Sequence, residues 1–339
     1  WRPETQFSQT FLLPLLAYRL FGTEPARVFV ISPAGLEPGA VYAMCSPLRR
    51  LCPPVLGMVS LPVWLDRPIQ SEALYRECET GNAEKAEFVL RHLLKRLRRR
   101  LASVVPASRS RSAWSEYMQN LHYRPEEFAL KQQFVSRALA PSGVRRVLDV
   151  GCNTGHFSLM AARAEASVVA VDADPGVVGR LWIEAERQGL DILPLVQNLA
   201  VPSPRTGWRN NERLSFRDRA EGKFDLVLFL SVVHHLMVTE GIPLREIASF
   251  AAALTRATAV VEYVGPEDDQ FKSLLRGRGG LYDKYGRKAF ESAFGEFFRV
   301  AARQPIPGRD RILYLLEKTK YSSMPREGGH VRAAGGRIP

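Results

Sequence analysis

Residues 147-VLDVGCNTGHFSLMAA-162 combine an apolar run around Asp149, a turn holding Gly151 and Gly155, and a stretch whose period predicts a helix. Glycines allow such a turn to approach a ligand closely. The first amides of the following helix have no acceptor inside it, so they suit an anionic group such as a carboxylate. Asp149 can take an ammonium on the same ligand, directly or through water, and Cys152 and Asn153 fill the turn between the glycines. Asp172 follows Gly151 by 21 residues, at the end of the next strand candidate and just before Ala173. A carboxylate there can accept from both hydroxyls of a ribose. Nucleotide dehydrogenases use related geometry, but the run here is GCNTG and not GxGxxG.

A second group of residues suits proton handling. His234 and His235 follow the apolar run 224-FDLVLFLS-231. Neighbouring residues point in different directions, so one histidine is expected to face the ligand, and His235 is the preferred one. A histidine that merely buttresses the loop is the plain alternative. Glu262 ends a later run, with Asp268 and Asp269 beyond it. A carboxylate there can orient an acceptor or take up its proton, or these acids pair structurally and cap a helix near Gln270. The insert 208-WRNNERLSF-216 offers Trp208 as an aromatic wall, Arg209 as an anion contact, and Asn210 or Glu212 for polar orientation. Tyr117, Tyr123 and Lys131 precede the glycine turn and can close over a ligand. No compact third ligand joins the two histidines, so no metal is expected.

The elements that must place these groups alternate. Strand candidates are 145–150, 167–172, 192–197, 224–231, 258–264, 298–304 and 311–317, with helices predicted over 125–139, 175–189 and 243–256. Five alternating units call for parallel strands covered on both faces. The last two candidates are joined by a link too short for a crossover, so they pair antiparallel. In the amino-terminal part, 5–22 predicts a buried helix interrupted near Pro14, 24–67 reads as strands, turns and packing segments, and 69–100 as a charged helix.

With these residues in place, VLDVGCNTGHFS, VVAVDAD and FDLVLFLSVVHHL resemble the successive signatures of class I S-adenosylmethionine-dependent methyltransferases. The resemblance covers about 112–318. It implies a seven-strand Rossmann-like α/β sheet with an antiparallel terminal hairpin. It also implies that Asp149, Gly151 and Gly155 serve the methionine portion and Asp172 the ribose, with Asp174 beside it. Gln197, Asn198 and Leu199 fall beside adenine. Asn198 replaces an acid frequent there, so the adenine amino group would meet its side-chain oxygen or a backbone group. Ser231 and Val232 match the ligand-facing end of the fourth strand. QFSQTFLLPLL, VSLPVWL, 206–216 and 259–271 further resemble nodulation-related, NoeA-like bacterial methyltransferases.

Composition is that of a folded protein: 339 residues, 46% hydrophobic and 24% charged. The net charge of +12 is partly local, since 91–112 holds eight lysines and arginines and no acid. A solvated helix and linker accounts for that stretch, and a phosphate- or nucleic-acid-binding surface is the functional alternative. The four cysteines form no CxxC or disulfide framework, which suits a reduced, cytoplasmic protein. The apolar patch 11–20 is too short to span a bilayer. The expected organisation is an accessory, substrate-covering region at 1–105, a linker and cofactor lid at 106–124, a methyltransferase domain at 125–320, and a flexible tail at 321–339. The leading function is methyl transfer from S-adenosylmethionine, leaving S-adenosylhomocysteine, to oxygen or nitrogen of a small molecule. RNA methylation and a non-catalytic scaffold role are the alternatives. An NPPF-like base-orienting tetrad is missing after the fourth strand, where SVVHH stands.

Overall fold

The structure, a computed structural model, describes residues 3–66, 82–105, 124–140, 143–275 and 279–319. Its contacts divide into two units. One is built from the described residues of Trp1–Ser110 together with Pro204–Leu214. The other holds those of Arg111–Ser203 and Ser215–Pro339.

The first unit is helical. Its helices are α1 (Pro3–Phe7), α2 (Leu13–Phe21), α3 (Pro25–Ile31), α4 (Pro38–Met44), α5 (Pro47–Arg50), α6 (Pro53–Val55), α7 (Leu61–Trp64) and α8 (Ala83–Val104). The strand reading of 24–67 is corrected here. The prolines of this stretch open helices: Pro25, Pro38, Pro47 and Pro53 each stand at a helix start, where the missing N–H costs nothing. Two Leu-Pro pairs, Leu13-Pro14 and Leu61-Pro62, are each preceded by a π turn, Ser8–Leu12 and Leu56–Ser60. Pro14 therefore does not end the helical path. The wider turn before it absorbs the lost hydrogen bond and the ring. The core of this unit gathers Leu12, Leu13, Leu16, Val41, Val55, Val59 and Val104. Within the expected helix over 69–100, residues 69–81 lie outside the described residues. So do the linker at 106–123, including Tyr117 and Tyr123, and the tail.

The second unit is a seven-stranded sheet in the order β3-β2-β1-β4-β5-β7-β6. Its strands are β1 (Arg146–Val150), β2 (Ser167–Asp172), β3 (Ile192–Val196), β4 (Phe224–Phe229), β5 (Thr255–Val264), β6 (Phe298–Pro305) and β7 (Arg311–Lys318). The first five are parallel, while β7 runs antiparallel between β5 and β6. The helices of this unit are α9 (Pro125–Leu139), α10 (His156–Arg163), α11 (Pro175–Gln188), α12 (Phe216–Ala220), α13 (Val233–Val238), α14 (Leu244–Leu254), α15 (Asp269–Leu274) and α16 (Arg287–Gly295).

Strand alternation splits the core in two. Val147, Ala170, Leu226, Leu228 and Val260 pack with Phe134, Ala161 and Leu181 of α9, α10 and α11. Leu148, Val227, Phe229 and Val261 face Val233, Ile247, Ala251 and Phe290 of α13, α14 and α16. Pro194 sits in β3, an edge strand bonded only to β2, the position in a sheet that tolerates a missing donor.

Candidate active site

Parallel strands end at one edge of the sheet, and the order reverses between β1 and β4. That switch point is where an open α/β sheet leaves a crevice. The structure has there a cavity of about 360 Å³. Gly151 and Asn153 line it after β1, Asp172 and Ala173 after β2, Gln197, Asn198 and Leu199 after β3, and Ser231 and Val232 after β4. His235, Leu236, Thr239 and Glu240 complete the wall from α13 and the turn behind it. This volume suits one small ligand of nucleoside size.

The glycine turn is tightly built. Gly151 has φ +69°, and a Cβ there would stand 3.1 Å from Val232 Cγ2. Gly155 has φ +81° and caps α10. A Cβ on it would lie 2.2 Å from Leu181 Cδ1. The amides of Gly151 and Cys152 donate to Val171 O at 2.9 and 3.1 Å, and that of Gly155 to Cys152 O at 2.8 Å. The turn's own donors are thus used internally. The opening amides of α10 are the ones that have no acceptor within the helix.

Asp172 is held at both oxygens. Oδ2 accepts from Asn153 N at 2.9 Å and Oδ1 from Asp174 N at 3.0 Å. Burial raises its pKa, and the Asp174 and Asn153 amides offset this only in part. Each oxygen retains a lone pair for a further donor. On β3's loop, Asn198 Oδ1 accepts from Ala200 N at 2.8 Å, so an amino group reaching that oxygen would share it. Asp174 caps α11 through Gly176 N at 2.7 Å.

Lys131, Asp149, Cys152, Gly155, His234 and Glu262 do not line this wall. Asp149 is buried beneath the turn and accepts from Ser158 Oγ at 2.6 Å. Burial pushes its carboxyl from the ordinary 3.8 up to about 6, against the Ser158 hydrogen bond. Between these values the folded chain keeps a proton that the unfolded chain has lost, so stability falls as pH rises from about 4 to 6. Asp149→Asn is expected to remove this slope, worth about 3 kcal/mol. Urea unfolding of both proteins across pH 4–7 measures it, and parallel curves would refute the assignment.

Of the two histidines, His235 reaches the cavity and His234 does not. His234 is fully buried, and neither ring nitrogen has a hydrogen-bond partner among the described residues. Burial, then His235 and Arg311, push its pKa well below the usual value. Burial and the Arg311 charge lower His235 to about 4, so both rings are neutral at neutral pH.

Glu262 lies in a buried network. Lys131 Nζ approaches its Oε2 at 2.7 Å, Ser231 Oγ donates to the same oxygen at 2.8 Å, and Arg311 Nη1 donates to Oε1 at 3.3 Å. Lys131 Nζ also donates to Ser231 Oγ at 3.2 Å. Asp268 caps α15 through Gln270 N at 3.0 Å, as one reading of the sequence had it, and Asp269 is the first residue of that helix. Burial raises the Asp268 carboxyl, but Arg311 outweighs burial and leaves its pKa lowered.

Trp208 and Arg209 belong to Pro204–Leu214, which groups with the first unit. Trp208 is exposed, and Thr206 pairs with Arg213 to close the loop. Arg213 Nη1 donates to Pro33 O at 3.0 Å. Sequence reasoning missed Arg311, Leu236, Thr239 and Glu240. Thr239 follows His235 by one helical turn and was open to detection on that ground. Arg311 opens an apolar strand and carried no such signal.

The methyltransferase-domain family matches residues 119–297 of this chain. The chain belongs to that family. Its members of this class draw the methyl group from S-adenosylmethionine, and the crowded glycine turn and doubly anchored Asp172 fit that donor. The methyltransferase is also similar to nodulation protein NoeA of Rhizobium meliloti (strain 1021), 26% identical over 321 residues, covering 94% of this chain and 67% of NoeA. A 79-residue stretch is 39% identical to the 23S rRNA (uracil(1939)-C(5))-methyltransferase RlmD of Xanthomonas campestris pv. campestris (strain 8004), covering 21% of this chain and 18% of RlmD. Among solved structures, N-methyltransferase NodS from Bradyrhizobium japonicum WM9 aligns with a TM-score of 0.42 and 17% identity, over 57% of this chain and 97% of that one. Magnesium protoporphyrin IX methyltransferase from Synechocystis PCC 6803 aligns with a TM-score of 0.40 and 20% identity, over 56% of this chain and 83% of that one. No described helix is long and apolar enough to cross a membrane.

Proposed function

We propose that this methyltransferase transfers the methyl group of S-adenosylmethionine to oxygen or nitrogen of a small-molecule acceptor. The observation that carries the reading is one cavity walled by Gly151, Asp172, Asn198, Leu199, Ser231 and His235. In this reading the opening amides of α10 take the methionine carboxylate. Asp172 accepts from both ribose hydroxyls, and Asn198 and Leu199 border adenine.

In the reaction the acceptor's lone pair forms the new bond to the methyl carbon while the carbon–sulfur bond breaks. S-adenosylhomocysteine leaves neutral, and the acceptor must shed a proton. His235 is assigned to that proton, because its ring is neutral and stands on the wall. Glu262 is assigned to structure, because Lys131 and Arg311 already oppose its charge. After β4 the segment SVVHH stands in place of an NPPF-like base-orienting tetrad, which favours a small acceptor over RNA.

Isotope-labelled methyl transfer into a cell extract, separated into metabolite, RNA and protein fractions, tests this reading. Label is expected among metabolites and is expected to be lost in Asp172→Ala. Label confined to RNA would overturn the choice of acceptor and favour a role for the basic 91–112 segment.

A further inference from the structure

Arg311 opens β7, and its backbone lies opposite Val264, the last residue of β5. The reversed strand therefore begins at the sheet edge where the parallel strands end, the edge that carries the cavity. Its guanidinium is 1% exposed. Nε and Nη2 grip Asp268 at 2.7 and 2.8 Å, and Nη2 also donates to Gln270 Oε1 at 2.8 Å. Nη1 donates to one oxygen of Glu262, whose other oxygen takes Lys131 and Ser231.

Two cations and two anions thus share one buried cluster drawn from α9, β5, β7 and the cap of α15. The hairpin turn adds to it: Gly265 N donates to Asp310 O at 2.7 Å, and Asp310 Oδ2 accepts from Glu267 N at 3.1 Å. Buried ion clusters contribute little net stability compared with apolar packing of the same volume. What the arrangement supplies is orientation. Its one member on the cavity wall is Ser231, a non-glycine residue with φ +56°. A left-handed serine persists where its surroundings over-determine it. Here Glu262 and Lys131 hold its hydroxyl, and Arg311 holds Glu262.

We infer that Arg311 is a positioning residue which, through Glu262, fixes the Ser231 hydroxyl and the left-handed turn after β4 against the bound cofactor. The inference rests on the reading of the cavity as the S-adenosylmethionine site. It separates Glu262 from proton chemistry and gives the reversed hairpin a part in ligand binding.

Calorimetric titration with S-adenosylhomocysteine tests it in a double-mutant cycle, each protein being measured below its unfolding transition. Arg311→Met is expected to raise Kd about ten-fold and Arg311→Lys about three-fold, within the range for residues sharing one network. In a Ser231→Ala background Arg311→Met is expected to change Kd less than about two-fold, because the group it acts on is gone. An unchanged Kd in the single variant, or the same fold-loss in both backgrounds, overturns the inference; general loosening of the fold would give the second result. If Arg311→Met does not fold by circular dichroism, Arg311→Lys and Asp268→Asn take its place in the cycle under the same criteria. Wild-type protein that fails to bind S-adenosylhomocysteine overturns the reading of the cavity itself. Wild-type binding without coupling overturns only the part given to Arg311.

Discussion

Asp172→Ala is expected to weaken cofactor binding by roughly 10²- to 10⁴-fold. Hydrogen bonds to a charged group contribute about 1.5–3 kcal/mol each, and the substitution removes two. A tenfold change in affinity corresponds to about 1.4 kcal/mol. The variant also frees the amides of Asn153 and Asp174, which loosens the turn that carries Gly151. Asp172→Asn keeps acceptor capacity at one atom and is expected to lose less. Direct titration with S-adenosylhomocysteine measures both, and affinity equal to wild type in the alanine variant would remove Asp172 from the site.

Glu262→Ala is expected to act on folding first. It takes from Lys131 and Arg311, both nearly fully buried, the carboxylate they share, while Arg311 keeps Asp268. Removing one partner of a buried ion pair costs about 3–5 kcal/mol, because the remaining charge is left uncompensated. For a unit of this size that lowers Tm by roughly 6–20 °C. Glu262→Gln keeps the oxygen that Lys131 and Ser231 share and is expected to fall between the two. Denaturant unfolding decides the matter. A loss under about 1 kcal/mol would mean that water reaches the cluster and screens it as at a surface.

How far the sequence could be read depended on where the signal lay. Period-two and helical patterns placed β2 at its observed ends and the other strands within a few residues, because the second unit's elements are strongly amphipathic or fully apolar. Asp172 and Gly151 were legible from their distance to a strand end, which topology turns directly into position at the crevice, whereas Asn198 was implied by the family resemblance. In the first unit proline misled, since the same residue breaks a helix inside and starts one at its edge. Only the neighbouring chain decides which. Lys131 and Glu262 lie 131 positions apart and Glu262 and Arg311 49, and no local pattern announces such a meeting. That only one of His234 and His235 reaches the wall followed from the rule that neighbours diverge. The fully buried state of His234 did not, because it depends on what packs behind α13.

Cys152 sits in the glycine turn itself, buried, with its thiol pKa driven far upward by burial and then by the charges of Asp149 and Asp172. Sulfur attacks electrophiles as the thiolate. An alkylating sulfonium laid over this turn therefore rests beside a sulfur that stays protonated and inert. In the proposed reading, the two carboxylates that hold this thiol protonated also shield the protein from being methylated by its donor.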